Sequence, residues 1–283
     1  MPAPALYARR LTFQTMPPNC RIGTVDLPAR VERERYFREL SYLELSALFQ
    51  GPLKTASLSR WQSMAPPSTL GLVAPWVLTH RKPPASGPSW THDPTVGDFR
   101  ISAPGREAIT ALHNAVTALT PAQVLFRSPP LFAPSMANRE LLRRFFGEFA
   151  TEAAVGAARV WLPDGLWEPR IAVNFATEIG VTCALDPLIH DPSTPAEVYE
   201  DLEAPALYFR VAGVGRGGPI RTEKLEDLAA LAEHYQNIAL TIAFASVARW
   251  QDARNFKKLL GEVSAEADPD LPDLTDLNND PGE

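Results

Sequence analysis

The chain has 283 residues, 45% hydrophobic and 21% charged, with a formal net charge of −6. That balance fits an ordinary globular protein with room for one large domain or two average ones. No apolar run approaches the ~20 residues that cross a bilayer, and residues 1–19 lack a signal-peptide core, so the expected location is the cytoplasm. Cys20 and Cys183 belong to no CxxC pair, which argues against a cysteine-based zinc site; Cys183 reads as a buried apolar thiol. Residues 264–283 hold seven acids and no lysine or arginine, leaving the rest of the chain close to neutral. Nothing in it resembles the basic stripe of a nucleic-acid binder.

Strand-like and helix-like segments alternate from residue 20 onward. "RIGTV" (21–25) precedes the amphipathic "ARVERERYFREL". "YLELS" (42–46) precedes "LKTASLSRWQSM", and "TLGLVA" (69–74) leads through a loop to "GREAITALHNAVTAL". "AQVLFR" (122–127) precedes "ANRELLRRFFGEFATEA". "AARVW" (157–161) stops at Pro163, Asp164 and Gly165 before "EPRIAVNFATEIG". "VTCALD" (181–186) precedes a proline-interrupted segment, "ALYFRV" (206–211) precedes "TEKLEDLAALAEHY", and "IALTIAF" (238–244) precedes "RWQDARNFKKLLGEV".

These eight strand-then-helix units predict a parallel sheet covered on both faces. Eight units in about 250 residues fit a closed (β/α)8 TIM-type barrel, with an open doubly wound sheet as the alternative. The expected organisation is an N-terminal extension (1–19), a barrel (20–262) and a disordered acidic tail (263–283). The Pro/Gly/Ser-rich residues 81–99 read as a long surface loop, either a lid or an insertion. Leu271, Leu274 and Leu277 are spaced by three among aspartates. They read as a solvated tail or, alternatively, as a segment that docks on a protein partner.

In such a barrel the loops after the strands converge on one mouth, so the strand ends are the candidate site. They supply Asp26, Glu44, His80, Arg127, Asp164, Asp186 and Arg210. Glu44 alternates with Leu43 and Leu45, which turns it into the barrel, where it needs a cation or donor; Arg210 and Arg127 are the candidates. The result is either a structural ion pair or part of a site. Asp186 precedes Pro187 and reads as a turn cap, with general base or metal ligand as the alternative. His80 suits proton transfer near neutral pH or a structural role. His92, His113, His190 and His234 show no ligand-like pairing. Gly213, Gly215 and Arg216 lie in a glycine-rich run after the seventh strand, readable as an anion cradle or a flexible loop. No cofactor or metal motif is present.

Several stretches in shared order resemble the YecE-like proteins, domain of unknown function family 72, over residues 20 to 261. They are "RIGTV", "YFRELSYLELSALFQGP", "VLTH", "VLFRSPPLFAPSMANRELLRRFF", "VWLPDGLW", "ALDPLIHDPSTP", "LYFRVAG" and "DARNFKKLL". The resemblance implies a (β/α)8 barrel and no established activity. It also exposes departures from the pattern expected of a subgroup. Leu162 stands where that pattern has glutamate, Asp164 where it has arginine, Val73 for lysine and Arg127 for glutamine. Ala212 replaces a histidine before Gly213, Ala245 and Ser246 replace paired asparagines after Phe244, and Ser46 replaces an asparagine. The aromatic cluster expected after the first strand is missing from "GTVDLPARV". Polar mouth positions change while packing positions persist. The sequence therefore suggests a catalytically degenerate barrel that binds or scaffolds, with a remodelled hydrolase-type enzyme acting on a small anion as the alternative, in which Glu44, His80 or Asp186 would move a proton and Arg127, Arg210 and the glycine-rich run would hold the anion. Side chains such as Trp76, Leu162 and Trp167 are candidates to plug the mouth.

Overall fold

The structure is a computed structural model that describes residues 19–84, 89–189, 196–213 and 219–265. Eight parallel strands close into a barrel in chain order: β1 (Cys20–Val25), β2 (Tyr42–Leu45), β3 (Leu70–Val73), β4 (Gln123–Arg127), β5 (Ala158–Leu162), β6 (Thr182–Leu185), β7 (Ala206–Val211) and β8 (Ala239–Phe244). β8 pairs with β1, setting Ile22 beside Ile242, so no edge strand remains. Closure settles the choice between barrel and open sheet.

Around this wheel lie α1 (Arg33–Glu39), α2 (Ala47–Gln50), α3 (Thr55–Gln62), α4 (Trp76–Thr79), α5 (Ala103–Leu119), α6 (Met136–Arg144), α7 (Glu152–Val155), α8 (Pro169–Glu178), α9 (Thr222–His234) and α10 (Arg249–Ala265). Local chemistry sets several of their ends. Ser102, Ser135 and Thr151 accept backbone N–H groups at the starts of α5, α6 and α7, and Glu168 does so for α8. Gly156, at φ +83°, ends α7 in the left-handed region that a side chain disfavours. A π-helical turn, Phe145–Phe149, follows α6. After β6 the described outer layer holds only a 3₁₀ turn, Ala196–Tyr199, in place of a full helix. Pro187 directly follows the strand, in the proline-interrupted stretch of the sequence.

Period-two alternation divides the strands into two cores. Outward residues such as Leu43, Leu72, Phe126, Trp161 and Phe209 join the helices in the larger core. Phe99, Phe126, Phe145 and Phe146 meet there edge to face, with ring centroids 5.1 to 5.7 Å apart where β4 meets the π turn. Inward residues Tyr42, Val73, Leu125, Val160, Ala184, Tyr208 and Ala243 fill the bore. Tyr42 fits because its neighbours on β1 and β3 are glycines. A Cβ on Gly23 would fall 1.6 Å from the Tyr42 carbonyl oxygen, and one on Gly71 would fall 1.8 Å from its phenol oxygen. Both cysteines are buried in the outer core as free thiols, and burial pushes the Cys20 thiol up to about 12. No helix among the described residues is long and apolar enough to cross a membrane.

Candidate functional site

Glu44 does turn into the barrel and is completely buried. Two residues of β7 meet it, both on the inward face because they are two apart. Tyr208 Oη donates to Glu44 Oε2 at 2.5 Å, and Arg210 Nε donates to Oε1 at 3.1 Å and Oε2 at 3.3 Å. The contacts continue down the axis. Tyr208 Oη lies 3.4 Å from Tyr42 Oη, and Gln123 Nε2 donates to Tyr42 Oη at 3.2 Å and to Thr241 Oγ1 at 3.3 Å. Burial, reinforced by the Glu44 charge, pushes both phenols up, so they remain protonated donors near neutral pH. A lone carboxylate here would be costly; this one has a counter-charge and a hydroxyl donor. Arg210 was legible as its partner. Tyr208 was not, although the same i, i+2 alternation on "LYFR" marks it.

The other acids at the mouth are also occupied. Asp26 Oδ1 accepts the Ser46 N–H at 2.8 Å, and its other oxygen accepts the Ser46 hydroxyl. Asp186 accepts Ala212 N–H at 2.7 Å and Leu188 N–H at 3.0 Å, the turn-capping role expected of it. Burial pushes the Asp186 carboxyl above the usual carboxylate range, opposed by those amides and by the Arg210 charge. Asp164 accepts Leu131 N–H at 3.0 Å, tying the loop after β5 to the loop after β4.

Gly213 (φ +76°) begins the loop after β7 with Ile220 against it. Gly215 and Arg216 lie outside the described residues, as do Leu271, Leu274 and Leu277. One neighbour bears on the anion-cradle reading of that loop. Asp252, fully buried in the first turn of α10, accepts Ile220 N–H at 3.0 Å and the Ser246 hydroxyl. Barrels commonly hold phosphate between the loops after strands seven and eight. Here a carboxylate of the chain itself takes donors from both loops. Asp252 was missed in the sequence because it reads as one more acid of an amphipathic helix.

The β4 side differs. Arg127 is half-buried, with its guanidinium 5.1 Å from the centroid of the Phe49 ring. Among the described residues no carboxylate or carbonyl accepts a hydrogen bond from it. In register it stands opposite Leu162, which faces the bore. Burial and, next, the Arg210 charge push the Arg127 guanidinium down, while Glu44 and Asp164 oppose that. His80 meets the same Phe49 edge to face at 5.1 Å, and its Nδ1 lies 2.7 Å from Thr79 Oγ1. Burial first, then Arg127, pushes the His80 imidazole down to about 4, so it is neutral at neutral pH.

The loop after β3 is exposed over most of its described residues, as expected, but three of its side chains anchor it in the core. Trp90, Val96 and Phe99 are buried, and Trp90 Nε1 donates to the Leu48 carbonyl at 3.0 Å. Gly97, Asp98 and Phe99 all have positive φ and donate their N–H groups to the carbonyls of α4 residues Val77, Thr79 and Leu78. At Gly97 a Cβ would lie 2.4 Å from the His80 backbone, so this crossing requires glycine. Of the three residues named as plugs, only Leu162 faces the bore. Trp76 and Trp167 belong to the outer core, where Trp167 meets Trp161 at 4.8 Å and donates to the Phe132 carbonyl at 2.7 Å.

No protein-family model and no curated protein matches the sequence. Solved structures do. A DUF72 family protein from Enterococcus faecalis superposes with a TM-score of 0.62 at 14% identity, covering 87% of this chain and 95% of that one. A DUF72 family protein from Thermotoga maritima gives 0.58 at 15% identity, covering 85% and 98%. An L-ribulose 3-epimerase gives 0.54 at 12% identity, covering 88% and 95%. The fold of the DUF72 proteins, a closed eight-stranded parallel barrel, is therefore the fold of this chain.

Proposed function

We propose that the chain is a DUF72-type barrel that binds a ligand or partner at its mouth without converting it. The observation that carries this reading is that both carboxylate candidates expected there are held by donors and that His80 is shifted away from neutral pH. Glu44 is held by Arg210 and Tyr208, Asp186 by two backbone amides, and His80 is neutral with Nδ1 against Thr79. General acid–base catalysis needs a group free to reach the reacting atom and titrating near the working pH. Three departures from the YecE-like pattern point the same way, because Leu162, Val73 and Ala212 stand where that pattern has a glutamate, a lysine and a histidine.

The test is incubation of the full chain with fractionated small-molecule extract, with bound and free species read by mass spectrometry. The expected result is a ligand recovered unchanged that raises the melting temperature. Product formation that disappears in Glu44→Gln overturns the reading in favour of a remodelled enzyme acting on a small anion. The scaffold side of the proposal rests on the sequence of residues 264–283. It predicts that removing them loses a captured protein; an unchanged set of captured proteins removes the tail from it.

A further inference from the structure

We propose that the mouth of the barrel binds a small organic carboxylate through Arg127. This rests on the reading of the barrel as a binding protein and names its ligand class. The first argument is a count of charges at contact distance. Arg210 is matched to Glu44, one cation to one anion, at 3.1 Å. Arg127 has no such partner among the described residues, although it is half-buried and feels the Arg210 charge. Asp164 acts on it only at longer range, without an ion-pair contact, and its Oδ1 accepts Leu131 N–H. Among the described residues one guanidinium at the mouth thus lacks a counter-ion at contact distance, and one monoanion would match it.

Geometry narrows the class. Arg127 lies over the Phe49 ring with Cζ 5.1 Å from its centroid, and no described acceptor takes its N–H groups. A guanidinium edge is planar and matches a carboxylate with two parallel hydrogen bonds. The surroundings disfavour a dianion such as a phosphate monoester. Glu44 and Asp164 already act on Arg127 as opposing negative charges, and Asp252 has taken one backbone donor, Ile220 N–H, from the loop after β7. The half-buried apolar residues against the bore cluster include Val25, Phe49 and Leu162. They offer a short hydrocarbon body a surface, while His80, neutral at neutral pH, adds no second positive charge. A monocarboxylate with a chain of a few carbons fits all of these conditions.

The experiment is calorimetric titration of the full chain at fixed ionic strength with butyrate, its uncharged isostere butyramide, and inorganic phosphate. The expected result is saturable butyrate binding, at least tenfold tighter than butyramide and tighter than phosphate. Arg127→Ala abolishes it. Arg127→Lys keeps the charge but not the two-pronged edge, and weakens it at least tenfold. Arg170→Ala, on the outer layer and paired with Asp201, leaves it unchanged. A melting curve for each variant verifies that it is folded. Equal binding of butyrate to the parent and to folded Arg127→Ala overturns the proposal, as does its absence from the parent or a preference for phosphate. Conversion of a bound acid would instead sink the non-catalytic reading while leaving the Arg127 site standing. Tight binding of an uncharged molecule, indifferent to Arg127, would do the reverse.

Discussion

Two arginines end inward-facing strand positions at the barrel mouth, and their surroundings differ. On the β7 side Arg210 closes a continuous set of contacts through Glu44, Tyr208, Tyr42, Gln123 and Thr241. On the β4 side Arg127 faces Leu162 in register and lies on Phe49, with no acceptor among the described residues. The difference follows from what lies opposite each arginine, a carboxylate for Arg210 and the apolar Leu162 for Arg127. A buried charge with its partner is structure; a half-buried charge without one is an opening for a ligand.

The largest effect is expected from breaking the matched side. Arg210→Met leaves Glu44 buried without a counter-charge and should cost about 3–5 kcal/mol of unfolding free energy, measured by denaturant titration. A loss below ~1 kcal/mol would mean that the pair contributes little. Gly71→Ala comes next. Its new Cβ meets the Tyr42 phenol, and overpacking of this kind costs about 1–3 kcal/mol, partly recovered when Tyr42→Leu is added. No recovery in the double variant would show that the glycine serves the backbone instead.

A third expected effect is pH-dependent. The His80 pKa is depressed from 6.5 to about 4 in the folded chain, so the unfolded chain takes up the proton first as pH falls. The His80 contribution to stability is therefore flat above about pH 6.5 and is lost from there toward pH 4. His80→Gln should flatten that segment of the curve; an unchanged slope assigns the acid loss to other groups. The smallest effect belongs to the unmatched side. Arg127→Ala should shift stability by no more than about 0.5 kcal/mol, because no hydrogen bond is lost. A large loss would place Arg127 with Arg210 as structure.

Much of the barrel was legible because its signals are local. Short apolar runs bounded by turns marked all eight strands, and alternation around Glu44 gave its direction. The same alternation carries Tyr208, Arg210, Gln123 and Arg127 inward, so most of the bore could be inferred strand by strand. Which inward residues touch depends on register around the closed wheel, and no single segment encodes that. The burial of Trp90 and Phe99 was masked by the prolines and glycines around them, although two large aromatics in a polar stretch were a usable signal. Asp252 left no signal at all, because its partners Ile220 and Ser246 come from two other loops.

The tyrosine seated between two glycines has a consequence for traffic. With that ring and its neighbours occupying the central channel, there is no passage from one end of the wheel to the other. A ligand held at Arg127 would therefore enter and leave by the same end of the barrel. Only substitutions at that rim should then change its exchange rate, and substitutions at the opposite end of the strands should leave it unaltered.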